Sequence, residues 1–484
     1  MPIMIEIEDE LQPFANAVQQ TLATLRAARA RTLGAASVDY AQFERELANA
    51  VATIECSGHE VLLRALDLNL PEILIDGVVH RRVLEAVEAT YYCQAGPVVV
   101  PRSLYRPWYS RAGATVDPVS LRAGVIGKGW LPLTAQAMAF ECQRGPSREA
   151  EKASTQTLRL PYSRSAFDDL LHLVGAQYSA ERHTVEPALI AAYAVPAEAA
   201  SISVSLDRVS VPMEEPRARP VGRPKKDAPK NPIERNFRMA YAATVTLHDE
   251  KGEALYTLRY GRMPAGDIDG LCRRLQADVL ALLSRRPDLK VVLLCDGAPE
   301  MWNLLTKHLN AETLGREVTL IVDFWHTTEK LGKASRALMG DEVNQADRFR
   351  RWRLDLLNHS GAAERILKLM QESGREHLCV GESEPVHEAI TYLVNHRGSF
   401  DYAAARRAGL PIGSGNVEAT CKSLFEVRLK RSGCRWKETT GGHVVDIRAA
   451  ALSDRYDAAM RLAMAPLRRE VTLPLAQTAR SCAA

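Results

Sequence analysis

From Leu11 to Leu68 the apolar positions recur at intervals of three and four, as in Phe14, Val18, Leu22 and Leu25, and predict a short set of amphipathic helices. From Ile73 to Tyr105 the pattern changes to strand-like pieces, Ile73 to Ile75 and Val98 to Val100, broken at Asp76-Gly77 and Gly96-Pro97; this reads as a small β hairpin module. Helix patterns return between Pro118 and Ala176. There Ser147 to Thr157 and Ser163 to Val174 stand at helix-turn-helix spacing, and the second helix would open on Ser163, Arg164 and Ser165, side chains able to reach phosphates or base edges. Any helical hairpin has that spacing, and on pattern alone the plain hairpin outweighs DNA recognition.

Beyond Ala200 the chain becomes strand-rich. Ile202, Val204 and Leu206 alternate with serines until Asp207 interrupts, giving a strand with an acid in its middle. Six prolines between Pro212 and Pro232, interleaved with Arg217, Arg219, Arg223, Lys225, Lys226 and Lys230, cannot bury a core and predict a mobile basic loop over 212–236. Arg238 to Leu247 and Ala254 to Tyr260 then form an antiparallel hairpin across Asp249-Glu250-Lys251-Gly252. A helix from Asp267 to Arg285 buries Leu271, Leu275, Val279 and Leu282. Two continuous apolar runs, Val291 to Cys295 and Val318 to Val322, flank a helix around Trp302 to Leu309 and read as parallel strands buried on both faces. From Thr327 to Leu410 the signals are all helical, an insertion ending at the turn Gly409 to Gly415. Helices follow at about Asn416 to Lys430 and His443 to Met464, then a tail without clear order.

Composition adds little to this picture. A chain of 484 residues implies two or more domains, and 62 Lys plus Arg against 59 Asp plus Glu leaves only +3, so any signal for a polyanion must be local. Nine cysteines with no C-x-x-C pair spell neither a zinc ribbon nor a disulfide framework, and a reduced cytoplasmic setting is expected. Glu6, Glu8, Asp9 and Glu10 stand where a secretory signal would carry lysines. No apolar run approaches the roughly 18 residues of a membrane helix, so no membrane partner is expected.

Candidate chemistry lies in the acids. Both parallel strands end in an aspartate, Asp296 and Asp323, and ligands of open α/β sheets bind beyond the carboxyl ends of strands. Asp207 would face the same crevice if its strand is central. Such a cluster suits Mg2+, which takes oxygen ligands and keeps waters for phosphate oxygens to replace. The plainer account is that aspartates at strand ends are turn formers, and taken singly each fits that account better.

The order of elements resembles the RNase H-like DDE transposases. The motifs resemble bacterial insertion-sequence transposases related to the mutator-like group: Val204-Ser205-Leu206-Asp207, Leu294-Cys295-Asp296-Gly297-Ala298, Val322-Asp323-Phe324-Trp325-His326, and Pro411-Ile412-Gly413-Ser414-Gly415-Asn416-Val417-Glu418. The likeness covers about Ala200 to Ala451. It implies an α/β RNase H-like catalytic core with an all-helical insertion, and the residue pattern places before that core a mostly helical N-terminal region with a β hairpin and helix-turn-helix spacing. It also implies a catalytic and metal-binding triad of Asp207, Asp296 and Glu418 with Mg2+, Mn2+ being a substitute, and an accessory D-x-x-H pair, Asp323 and His326. A structural histidine is the simpler reading of His326. Glu418 has a rival too, since Glu418, Lys422, Glu426 and Lys430 would form a solvent-facing stripe of ion pairs on a regular helix.

The expected segments are N-terminal helices over 1–70, the β hairpin over 71–110, and a helical region with helix-turn-helix spacing over 111–190. The core would occupy 195–330 and 411–465, interrupted by helices at 331–410 and followed by a tail at 466–484. Two basic segments are candidates for DNA. Gly222-Arg223-Pro224-Lys225-Lys226 looks like a degenerate AT-hook, with Val221 where the motif has arginine, and a solvated loop accounts for it equally well. Arg428, Lys430, Arg431, Arg435 and Lys437 cluster around Trp436 beside the third acid; a basic helix end covering the core is the alternative. The partner implied is double-stranded DNA, transposon ends and target, bound by a homo-oligomer. Two alternatives stay open: a DNA-binding protein of the same fold without catalysis, and a nuclease that lacks strand transfer.

Overall fold

In the computed structural model the described residues are 7–110, 113–214, 235–338 and 342–474, and they divide into two compact units, Met1–Val185 with Tyr456–Ala484, and Glu186–Arg455. In the first unit, helices α1 (Gln12–Thr32) and α2 (Tyr40–Leu66) pack on each other, and the strands β1 (Glu72–Ile75), β2 (Val78–Cys93) and β3 (Gly96–Pro107) form an antiparallel sheet. Asp76 (φ 47°) and Gly77 (φ 79°) are both left-handed, the backbone of a tight hairpin turn. The expected hairpin is therefore larger than its apolar pieces suggested, and a fourth strand, Val471–Thr472, pairs with β1 where the sequence showed no order. Helices α3 (Pro118–Ala123), α4 (Pro132–Arg144), α5 (Ser147–Thr157) and α6 (Arg164–Ala192) follow. The α5–α6 pair falls where the helical hairpin was expected, but α6 runs to Ala192 rather than ending near Val174.

The second unit is built on a five-stranded sheet. Its strands are β4 (Ser201–Glu214), β5 (Arg235–His248), β6 (Ala254–Arg262), β7 (Lys290–Cys295) and β8 (Val318–Val322), in the spatial order β6-β5-β4-β7-β8. The chain's first three strands form an antiparallel meander, whereas β7 and β8 run parallel to β4. β4 is thus central, and its first six residues are all buried as a strand covered on both faces requires. It continues through Pro212 to Glu214 beyond the expected break; a proline is tolerated there because the ladder with β7 ends at Val204↔Leu293 and the bridge of Met213 to Trp436 that replaces it uses the Pro212 carbonyl and not an N–H.

Helix α7 (Ile268–Arg285) is capped by Asp267, whose side chain accepts from Gly270 N–H, and its Leu271, Leu275, Val279 and Leu282 are fully buried. Helices α8 (Pro299–His308) and α9 (Ala311–Leu314) connect β7 to β8. The helical insertion is present as α10 (Phe324–Leu338), α11 (Glu342–Asn358), α12 (Ala362–Glu372), α13 (Pro385–Asn395) and α14 (Tyr402–Arg407). Leu331, Trp352, Ile366 and Ile390 join the sheet's Val204, Leu206 and Leu293 in one continuous core, so the insertion is packed onto the sheet rather than appended to it.

The segment after Gly413 departs from the single helix expected. It is a short α15 (Gly415–Thr420), a π-helical turn over Cys421–Glu426, and α16 (Val427–Leu429). The final helical stretch is likewise two helices, α17 (Glu438–Leu452) and Tyr456–Met464, separated by Asp454 at φ 50°. Among the described residues no helix is long and apolar enough to cross a membrane.

Candidate active site

Asp207, Asp296 and Asp323 lie toward one end of the parallel strands β4, β7 and β8. Asp296 directly follows Cys295, which ends β7 at the rung Cys295↔Val322, and Asp323 directly follows Val322, which ends β8. Asp207 lies on β4 just past its last rung with β7, Val204↔Leu293. Asp296 and Asp323 therefore sit at the carboxyl ends of adjacent parallel strands, and Asp207 lies within the longer β4 just beyond the end of its parallel ladder with β7.

Their surroundings differ. Asp207 is partly buried; Oδ1 accepts from the Arg208 backbone N–H at 2.6 Å, and Oδ2 faces the Cys421 thiol, which donates at 3.4 Å. Burial pushes its carboxyl above the ordinary range and the neighbouring Asp296 pushes it the same way, against the pull of those two donors. Asp296 Oδ1 accepts from Ala298 N–H at 2.9 Å. Its backbone carbonyl accepts from the hydroxyl of Tyr392, a residue of α13, at 2.7 Å. The glycine after Asp296 is obligatory on two counts: Gly297 has φ 95°, and a Cβ there would stand 2.6 Å from the Tyr392 ring.

Asp323 is wholly buried and wholly engaged. Oδ1 accepts from the His326 backbone N–H at 2.7 Å and from His326 Nδ1 at 3.1 Å, capping α10. Oδ2 accepts from the Ser414 N–H, which ties the end of β8 to the turn before Glu418. Burial alone would raise this carboxyl, but the donors from His326 and Ser414 outweigh it and hold it below its ordinary range. The turn-former account is thus the one that describes Asp323.

His326 joins the acids. Its Nδ1 is 3.1 Å from Asp323 Oδ1 and 3.7 Å from Glu418 Oε1, and the Asp323 hydrogen bond first, then the charges of Asp323, Glu418 and Asp296, push the imidazole up to about 9. Asp207 feels the same imidazolium. One ligand atom each of Asp323, His326 and Glu418 lie within 4.8 Å of one another, one of three such groups among the described residues; the others are Glu55–His59–Cys93 and Glu376–His377–His387. All five sequence-derived acid and histidine residues are therefore electrostatic neighbours, with His326 touching Asp323 and Glu418 directly and sensing Asp296 and Asp207 through space.

Glu418 is delivered by α15, which packs against β4 and β5. The π turn that follows adds a residue to the helical repeat and breaks the expected stripe of ion pairs: Glu426 pairs with Lys430 at 2.9 Å, whereas Glu418 turns to His326. Beside it Trp325 is 57% exposed, with the Arg353 guanidinium 4.9 Å from its ring centroid.

The basic residues are scattered over several settings. Arg428 is only 3% exposed and stacks on the Trp436 ring at 5.0 Å, while Trp436 Nε1 donates to Leu429 O at 3.0 Å, so this pair braces the interior. Lys430, Arg431 and Arg435 are partly exposed on the same segment. In the first unit Arg164 is exposed, its Nε 3.3 Å from Ser147 Oγ. Arg223, Lys225 and Lys226 lie outside the described residues. Tyr392 and Cys421 had no signal in the sequence, because the contacts that give them roles at Asp296 and Asp207 span 96 and 214 residues.

No protein-family model matches the chain, and no curated protein matches it. Among solved structures it is similar to the Drosophila P element transposase strand transfer complex, at 12% identity and TM-score 0.24 over 69% of this chain and 83% of that one. It is also similar to the Mos1 transposase paired-end complex with left transposon end, at 14% identity and TM-score 0.17 over 58% and 79%.

Proposed function

We propose that the chain is a DDE-type DNA transposase with an RNase H-like core, in which Asp207, Asp296 and Glu418 hold Mg2+ and Asp323 and His326 position them. One observation carries this reading: His326 pairs with Asp323 at the end of β8 and with Glu418 of the closing helix, 3.1 and 3.7 Å from its Nδ1, at the end of the sheet where Asp207 and Asp296 stand on β4 and after β7. The element order implied by the resemblance to insertion-sequence transposases, with its four motifs in sequence, supports the assignment.

The division of labour follows from the donors. Asp323 spends both oxygens on protein hydrogen bonds, so it holds His326 and the Ser414 turn and leaves metal binding to the other acids. Asp207 and Asp296 repel each other in a partly buried place, an arrangement that costs stability until a cation neutralises it. Bound Mg2+ would polarise the scissile phosphate and stabilise the attacking and leaving oxygens of an in-line displacement. Water displaces the 3′-oxygen at the transposon end, and the freed 3′-hydroxyl then attacks a target phosphodiester at the same acids. His326, carrying a proton on Nδ1 between Asp323 and Glu418, limits the negative charge that the DNA backbone meets. Duplex DNA, reached by Lys430, Arg431 and Arg435 and by Arg223, Lys225 and Lys226, is the proposed partner, and a homo-oligomer on paired ends the proposed assembly.

Strand-cleavage and joining assays on the flanking genomic repeats with Mg2+ test this. The parent should cleave and join, and Asp296→Ala should lose activity on the order of a thousandfold or more. Equal activity in the two proteins removes Asp296 from the site, and cleavage without joining makes the chain a nuclease.

A further inference from the structure

The connection between α12 and α13 carries an unusual side-chain chemistry for a surface loop. Within Arg375-Glu376-His377-Leu378-Cys379-Val380-Gly381-Glu382-Ser383-Glu384 and the first turn of α13 stand two histidines and four glutamates. His377 and His387 stack, with ring centroids 5.0 Å apart and planes at 30°. Each imidazole faces a different carboxylate: His377 Nδ1 is 3.2 Å from Glu384 Oε2, and His387 Nδ1 is 3.4 Å from Glu376 Oε1.

From this arrangement we infer that Glu376, His377 and His387 form a transition-metal site of the zinc class, with Glu384 as the fourth ligand. One ligand atom from each of the first three lies within 4.8 Å of the others. Tetrahedral zinc with Zn–N bonds of about 2.0–2.1 Å spaces its ligands roughly 3.3 to 3.4 Å apart, so modest side-chain rotation closes the set. A second observation points the same way. His387 Nδ1 is shielded from solvent and has no hydrogen-bond partner, although a carboxylate oxygen stands 3.4 Å off. A buried ring nitrogen without a hydrogen bond is costly, and a metal ion between it and Glu376 removes the cost.

Donor chemistry separates this group from the other two. Two imidazoles with carboxylates favour zinc over magnesium, whereas the acid cluster of the candidate active site is rich in oxygen. In the Glu55–His59–Cys93 group both oxygens of Glu55 are taken by Arg159, at 2.6 and 3.0 Å. Nothing in the α12–α13 loop competes in that way for Glu376. His377 and Glu376 lie in the connection and His387 on α13, so a bound ion would staple a ten-residue loop, 375–384, to the helix whose Tyr392 holds the carbonyl of Asp296. The site stands independently of the transposase reading.

Titration calorimetry of the full-length protein with Zn2+, in excess Mg2+ so that oxygen-rich sites are filled, tests it, and Co2+ absorption reports tetrahedral geometry. The parent should take up one equivalent, and both His377→Ala and His387→Ala should weaken that uptake at least about a hundredfold. Glu418→Ala should leave it unchanged. His377 is 71% exposed and His387 44%, so neither alanine removes a core contact and each serves as the control for the other's folding. No uptake by the parent, parent-like uptake in either histidine variant, or loss in Glu418→Ala each overturns the assignment.

Discussion

Asp207 within β4 and Asp323 just past β8 flank the same end of the parallel strands, yet the fold treats their charges in opposite ways. Asp323 is stabilised as an anion by the His326 and Ser414 donors, while Asp207 is pushed toward its neutral form by burial and by Asp296. Neutralising each should therefore have opposite consequences in metal-free protein. Asp323→Asn must aim an amide NH2 at donors that now meet an acceptor, and should lower stability by about 2 to 3 kcal/mol. Asp207→Asn relieves repulsion and should leave stability unchanged or raise it. Denaturant unfolding of both variants in chelator checks this, and a large loss in Asp207→Asn would mean that its charge is a structural requirement. Adding Mg2+ should then stabilise the parent but not Asp207→Asn, because only a protein that binds the ion gains from mass action.

Elements deliver these residues, so their packing should be felt at the acids. Gly261 on β6 is covered by the π turn and α17: a Cβ there would stand 2.5 Å from Val445, 2.8 Å from Leu424 and 3.0 Å from Phe425. Gly261→Ala should cost about 1 to 3 kcal/mol through overpacking. Because Leu424 and Phe425 belong to the turn directly after Glu418, it should also lower cleavage more than stability loss alone explains, as comparison with an equally destabilised variant elsewhere would reveal. On β5, His248 is 2% exposed and hydrogen-bonded to Ser203 at 2.8 Å, and burial lowers it to about 4. Its neutral form is the folded one, so the stability it confers is whole above about pH 6.5 and is lost as pH falls toward 4, by at most about 3 kcal/mol. His248→Gln should flatten unfolding free energy against pH in that window; an unchanged slope would assign the effect to other groups. The apolar runs Val291 to Cys295 and Val318 to Val322 were legible as strands because burial on both faces leaves no polar alternation to confuse them. The π turn was not legible, since Asn416 to Lys430 satisfies a regular helical period equally well, and the register shift comes from packing against β4 and β5. Glu418 could be picked out by its motif, but its turn toward His326 could not.

At the scale of the molecule, a formal charge of +3 on 484 residues gives no long-range pull on DNA, so affinity must come from local clusters. Of the cations around Trp436, Arg428 is buried and Lys430 is paired with Glu426, which reduces what that segment can offer to phosphates. On the proposed function, the weight of non-specific binding would then fall on the proline-rich basic segment with Arg223, Lys225 and Lys226. Each phosphate neutralised by a cation releases condensed counterions and contributes about 0.9 to the slope of log affinity against log salt. Replacing all three residues by alanine should therefore weaken duplex binding and flatten that slope by up to about 2.7, while leaving Mg2+ binding and fold stability as in the parent. Replacing Arg428 should instead lower stability through loss of its stack on Trp436, with little change of slope. Fluorescence anisotropy on a labelled duplex across a salt series separates the two. If the Arg223, Lys225 and Lys226 variant keeps the parental slope, that segment makes no phosphate contacts and the charge that holds DNA must be sought on the N-terminal unit, beginning with Arg164.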